Sequence, residues 1–409
     1  MSIGPDQMVM DAEWSELSRH RPMPQIDRDR LYAWRIGRLK AEMRKAGVAM
    51  CVLVNPISLR YAIDYRSYAL FQSHIPSTYL FLPVDGPIAA YGSYIAPGTG
   101  IEARPGRAIS VFDGGPDLAE AARLFADDVV GFLSEVGSDN RRVAVEYVNP
   151  SITQALLQRG IEVTDGVAIS EMARVIKSED EIACIRWACA VAALGMDKMR
   201  EALRPGVSEL QLWGLLNYTN LANDGDWHDG RMLASGPRTN PWLQEASPRR
   251  VEAGDLVAFD TDMIGPMGYF ADISRTFFCG PGLPSGRQRE LYRLALDEVE
   301  HNMGLMRPGM TLGEIQAQAF EVPEEFQQQA YPCIVHGVGM CDEFPRVNPR
   351  FRGPTPYDGV LAPGMVICVE SYMGAVGERD GVKLEQQVLI TETGCEVLSD
   401  YPLDEALLG

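Results

Sequence analysis

Histidine is scarce in this chain: five in 409 residues, His20, His74, His228, His301 and His336. So few imidazoles leave little for proton shuttling or for a metal site built on histidine. No apolar run approaches the roughly 20 residues that a membrane-spanning helix needs, so a membrane partner is not expected. The opening MSIGPDQMVMDAEWSEL lacks the basic start and apolar stretch of a secretory leader. Eight cysteines occur without Cys-x-x-Cys spacing, the pattern of reduced thiols in the cytoplasm rather than of a disulfide framework. Basic residues number 37 against 56 acidic ones, a net charge of −19. Such a field disfavours nucleic acid and anionic membrane and would draw a cationic small-molecule substrate. Screening over about 8 Å confines that attraction to nearby charges.

What is present is a set of acids in strand-like surroundings. VAFDTDMIG reads as a strand, which predicts Asp260 and Asp262, at i and i+2, on one face. YFADISRTFF reads as the returning strand of a hairpin with Gly265 and Gly268 in its loop, and it carries Asp272. VICVES and KLEQQVLI are two further apolar strands bearing Glu370 and Glu385. A buried carboxylate costs several kcal/mol unless it is paired or metal-bound. With His336, these five carboxylates can hold two divalent metal ions side by side. Carboxylates with a single imidazole suit manganese or iron and tolerate zinc or cobalt. Cys333-x-x-His336 and Cys341 also allow a zinc thiolate site, but their oxygen-rich company makes structural cysteines the better reading.

The acids recur in a pattern. Gly254-Asp-Leu-Val-Ala-Phe-Asp260 and Gly364-Met-Val-Ile-Cys-Val-Glu370 share a glycine turn, an apolar strand and an acid at the sixth step. Upstream lie Arg204-Pro-Gly-Val-Ser208 and Arg307-Pro-Gly-Met-Thr311. Each is followed by capping-box spacing, Ser208 to Gln211 and Thr311 to Glu314. The second half of the chain therefore reads as an internal repeat whose acids meet at a pseudo-twofold centre.

Three segments follow. Residues 1–27 are polar and punctuated by proline, an arm over the surface. Residues 28–172 read as an α/β domain with an opening helix ending near Gly47. Its strands are VAMCVLVN, TYLFLPV, PIAAYGS, AISVF and RVAVEYV, with helices near 117–136 and 150–159. Residues 173–409 form the metal-bearing domain, whose first long helix opens at the capping box Ser178-Glu-Asp-Glu181.

The Asp-x-Asp pair, the third aspartate in ADISRTF, the histidine in HGVG and the two strand glutamates resemble the pita-bread superfamily of creatinase, prolidase and aminopeptidase P. That resemblance implies an α/β (α+β) fold, a creatinase-like N-terminal domain followed by a C-terminal pita-bread domain with a pseudo-twofold internal repeat. It also implies two divalent metals and a homodimer. Peptidases of the superfamily carry a histidine after the SGP loop, where this chain reads SGPRTNPWLQEAS, and another after the metal histidine. At the latter, HGVGMCDEFP places Asp342. Xaa-Pro dipeptidase-like hydrolysis is disfavoured on that ground, with His228 as a substitute that keeps it open. A non-catalytic binding module of this fold is disfavoured because all six ligands are kept.

RMLASGPRTNPWLQE, FDTD, ADISRTF, HGVGMCDEFP and KLEQQVLITETG are similar to a narrower group, the DddP-type lyases of dimethylsulfoniopropionate (DMSP). This implies metal, with iron favoured, on Asp260, Asp262, Asp272, His336, Glu370 and Glu385, and Asp342 as catalytic base. DMSP bears a carboxylate and, on its β-carbon, a sulfonium leaving group. A metal on the carboxylate would acidify the α-hydrogen, and a carboxylate base would remove it. The sulfonium calls for an aromatic wall, for which Trp242, Tyr331 and Phe71 are the candidates. Ordinary packing is the other reading of those aromatics, and orienting His336 the other reading of Asp342. Phe71 stands where these lyases more typically carry tryptophan, which leaves a different substrate for the same chemistry open.

Overall fold

The computed structural model describes residues 24–66, 69–92 and 101–409, so positions 1–23 of the expected arm lie outside the described residues. The chain forms two compact units, Asp27–Arg174 and Val175–Gly409. No described helix is long and apolar enough to cross a membrane.

In the first unit, the helix Arg28–Ala46 starts at Asp27, whose side chain accepts the Arg30 N–H, and stops at Gly47 in the left-handed conformation. A six-stranded sheet runs in the order Glu102–Arg104, Ala89–Tyr91, Tyr79–Pro83, Met50–Leu53, Arg142–Val145, Glu162–Asp165. Met50–Leu53 pairs antiparallel with Tyr79–Pro83 and parallel with Arg142–Val145. Val52, Phe81, Phe125 and Val129 are buried in its core. AISVF is not a strand. Ser110 instead accepts the Asp113 N–H and caps the short helix Val111–Gly114. Val111 and Phe112 are exposed there. A local cap wins where no buried face holds the chain extended.

In the second unit, capping boxes open the helices Glu179–Ala202, Glu209–Ala222, Gly286–Met303 and Leu312–Gln318. The repeated phrases fold alike. The Gly206 N–H donates to Val251 O and the Gly309 N–H to Leu361 O, both at 2.8 Å. Ser208 bridges Arg250 as Thr311 bridges Val360. Gly254 and Gly364 turn with φ of 87° and 86°, a conformation other residues adopt only under strain. Each turn feeds a strand, Leu256–Asp260 or Val366–Met373, paired antiparallel with Ser274–Phe278 or Val382–Ile390. The two hairpins are stitched together where the Thr276 hydroxyl and the Lys383 backbone exchange bonds of 2.9 and 3.1 Å.

Asp260 and Asp262 do not share one continuous strand. The strand stops at Asp260, Asp262 takes a left-handed φ of 37°, and pairing resumes at Met263–Ile264 in another sheet. Asp272 likewise falls in a break, between Phe270–Ala271 and Ser274–Phe278.

A candidate metal centre

Both breaks have one cause, the buried side chain of Thr261. Its hydroxyl donates to Ala271 O at 2.6 Å and accepts the Ile273 N–H at 3.0 Å. One residue between two acids therefore grips the backbone on both sides of the third. Asp272 is held further by its own N–H, which donates to Gln387 Oε1 at 3.0 Å. Arg275, fully buried, spends its guanidinium on the carbonyls of Ser274, Glu385, Ser399 and Tyr401 and so fixes the backbone at Glu385.

Among the described residues three groups of donor atoms result, each compact enough for one ion: Asp272, His336, Cys368 and Glu385; Asp260, Asp262 and Asp272; Asp260, Glu370 and Glu385. The six residues expected from the sequence lie together, and Cys368 joins them. His336 Nδ1 lies 3.0 Å from Gly337 O, so an Nδ1 hydrogen belongs there and Nε2 faces inward. Nε2 is 3.5 Å from an oxygen each of Asp272, Glu370 and Glu385. Two donors on one cation at about 2.1 Å stand roughly 3.0–3.4 Å apart, close to that spacing. Asp260 Oδ1 and Glu385 Oε1 are buried with no hydrogen-bond partner, a cost that a cation offsets. The donor set fits divalent metal.

Lys383 was not foreseen from the sequence. Its buried Nζ lies 3.1 Å from Asp260 Oδ2, 2.8 Å from Glu370 Oε2 and 3.2 Å from Glu385 Oε2. It also donates to Ser274 Oγ at 2.8 Å and sits 4.6 Å from the Tyr331 ring centre. The available signal was the period of two. Lys383, Glu385 and Gln387 alternate along one strand, so all three side chains serve the same face. Burial opposes the Glu385 anion, but Lys383 and His336 outweigh it and hold its pKa well below the usual range. Burial raises Asp260, Asp262 and Asp272, with the neighbouring carboxylates adding to it. Glu370 is pushed up to about 7 by burial, against Lys383. Burial lowers His336, but Asp342 and Glu385 overcome it and bring the imidazole to about 10.

Near neutral pH His336 and part of Glu370 hold protons that a metal ion must displace. Metal affinity is therefore expected to rise as pH climbs from about 6 to 8, with at least about one proton released per chain at neutral pH. Calorimetry in buffers of different ionisation enthalpy measures that release. Affinity independent of pH would contradict it.

Asp342 lies at the rim with 72% of its side chain exposed, and its Oδ1 is 3.6 Å from His336 Nδ1. Its neighbour Glu343 turns inward to a buried ion pair with Lys177 at 2.9 Å. Glu343 also accepts the Met340 N–H, which ties down the turn before Asp342. Trp242 is buried beside Ala258 and Tyr372, with Tyr331 packed against the same cluster, and its indole N–H has no partner. Phe71 belongs to the first unit, where its ring meets His74 and Phe112 edge-on. His228 lies outside the three donor groups: Nδ1 is 2.8 Å from Thr261 O, and the ring meets Trp213 edge-on. Burial lowers its pKa to about 4, so it is neutral. None of the eight cysteines is in a disulfide. Cys333 Sγ donates to Glu370 Oε1 at 3.0 Å and Cys341 Sγ to Asp342 O at 3.1 Å.

This fold and donor set define a class. The sequence profile of metallopeptidase family M24 matches residues 183–392, and the chain belongs to that family. Xaa-Pro dipeptidase from Bacillus anthracis shares the fold with a TM-score of 0.71 at 22% identity, over 91% of this chain and 99% of that one. Prolidase from Pyrococcus horikoshii gives 0.69 at 21%, over 90% and 99%. The expected pita-bread architecture is met.

Within the family, the chain belongs with the proteins named dimethylsulfoniopropionate lyase DddP. That of Roseovarius nubinhibens is 36% identical over 422 aligned positions, 100% of this chain and 93% of its relative. That of Roseobacter denitrificans is 35% identical with the same coverage. Xaa-Pro dipeptidase from Pyrococcus furiosus is 33% identical, but over 55% of this chain and 63% of that protein.

Proposed function

We propose that the protein is a metal-dependent lyase that cleaves DMSP to dimethyl sulfide and acrylate by β-elimination. The observation that carries this reading is likeness along the whole chain to two proteins named as DMSP lyases, where likeness to the dipeptidase covers little over half. The site supports it. We assign Asp260, Asp262, Asp272, His336, Glu370 and Glu385 as ligands of two divalent ions, iron favoured over manganese, zinc and cobalt. When bound, such ions neutralise the substrate carboxylate and acidify its α-hydrogen.

Asp342 is the base. Its carboxylate takes the α-proton, the C–H electron pair becomes the carbon–carbon double bond, and sulfur leaves with the electrons of the carbon–sulfur bond as neutral dimethyl sulfide. The other product is acrylate, and the proton passes from Asp342 to water across the exposed rim. No water nucleophile is consumed, so a neutral His228 turned to a backbone carbonyl is no handicap. Trp242 and Tyr331 are assigned to the sulfonium wall. The assembly is read as a homodimer, and cysteines without disulfides fit a reducing cytoplasm.

Metal-loaded protein mixed with DMSP is expected to release dimethyl sulfide into the headspace with an equal amount of acrylate, and chelated protein neither. Folded, metal-filled protein that releases neither product would refute the substrate.

A further inference from the structure

Lys383 is a cation already fixed inside the centre. It bonds the Oδ2 or Oε2 atoms of Asp260, Glu370 and Glu385, whereas Asp260 Oδ1 and Glu385 Oε1 have no hydrogen-bond partner. The ammonium thus shares the donor group of Asp260, Glu370 and Glu385 and leaves one oxygen each of Asp260 and Glu385 open to an ion. It is wholly buried, held by Ser274 and the Tyr331 ring, and belongs to the strand that supplies Glu385. No movement of an exposed side chain can remove it.

We propose that Lys383 is a built-in counter-ion that sets the valence of the centre, favouring divalent over trivalent metal and, for iron, the ferrous form. The inference rests on the two-ion reading above. Five carboxylates carry five negative charges; the ammonium cancels one and two divalent ions cancel the other four. A trivalent ion in either position would leave one positive charge uncompensated among these buried groups, because the next carboxylate, Asp342, is 72% exposed to water. Lys383 is therefore a positioning and charge-setting residue that acts through Asp260, Glu370 and Glu385. A neutral side chain there would shift the balance towards trivalent metal.

The test reads metal valence rather than turnover. Wild type, Lys383→Gln and Lys383→Arg are loaded with ferrous iron without oxygen and poised at one potential, and ferric and ferrous iron are counted by Mössbauer spectroscopy. Loss of a unit charge a few ångströms away is expected to raise the ferric-to-ferrous ratio of Lys383→Gln roughly tenfold or more, while Lys383→Arg keeps the wild-type ratio. Should Lys383→Gln not fold, metal-free wild type is offered zinc and gallium(III) citrate together. Two zinc ions per chain and almost no gallium are expected. An unchanged ratio in Lys383→Gln, or gallium taken up as readily as zinc, would overturn the proposal and leave the two-ion reading standing. Fewer than two zinc ions in wild type would remove that reading and the proposal with it.

Discussion

Asp342→Asn is expected to lose about a thousandfold in kcat towards DMSP, within the roughly 10²–10⁴ that a positioned general base contributes. Asparagine keeps the size and the exposed place at the rim, so the fold is not disturbed. Asp342 also belongs to none of the three donor groups, so metal content should equal that of the wild type. These two readings together separate the roles open to this residue. A carboxylate that only orients His336 would lose metal affinity along with turnover, because Nε2 is the inward-facing donor. Full turnover in Asp342→Asn would dismiss the base assignment outright.

Asp272→Asn should do the opposite and empty the centre. Asp272 sits in two of the three groups, once with Asp260 and Asp262 and once with His336, Cys368 and Glu385. It is buried and its backbone is gripped by Thr261 and Gln387, so no neighbour can swing in to replace it. Metal affinity should fall by at least roughly 100-fold, more than is typical for a supporting residue, and DMSP cleavage should fall with it. Cys368→Ser is the control. Its thiol lies 3.6 Å from Asp272 Oδ2, and burial and the adjoining carboxylates hold it protonated, so metal content should be nearly unchanged. Elemental analysis of dialysed protein decides both. Asp272→Asn that retains metal like the wild type would dissociate this residue from the centre.

The candidate ligands stood out because they violate the pattern around them: acids in strands that otherwise read as core. The repeat was legible because its glycines and capping residues do the same local job twice. What lay beyond sequence reading was set by contacts distant in the chain. The left-handed turn at Asp262 follows from a Thr261 hydroxyl that bonds ten and twelve residues away. Lys383 looks like an ordinary solvated lysine until its hairpin packs against Ser274–Phe278 and closes three carboxylates around it. AISVF has strand-like composition, yet one serine cap and the absence of a covering layer decide for a helical turn. Glu343 next to Asp342 shows the same limit. Adjacent acids on one strand point to opposite sides, one exposed at the rim and one buried against Lys177.

Elimination, as opposed to hydrolysis, at this centre is the claim on which the rest depends. The most direct measurement is proton NMR of one sample holding iron-loaded protein, DMSP and an Xaa-Pro dipeptide. The expected spectrum gains the vinyl signals of acrylate and the methyl signal of dimethyl sulfide at equal rates, while the dipeptide signals stay constant. Free proline appearing while DMSP persists would contradict it and make the protein a dipeptidase.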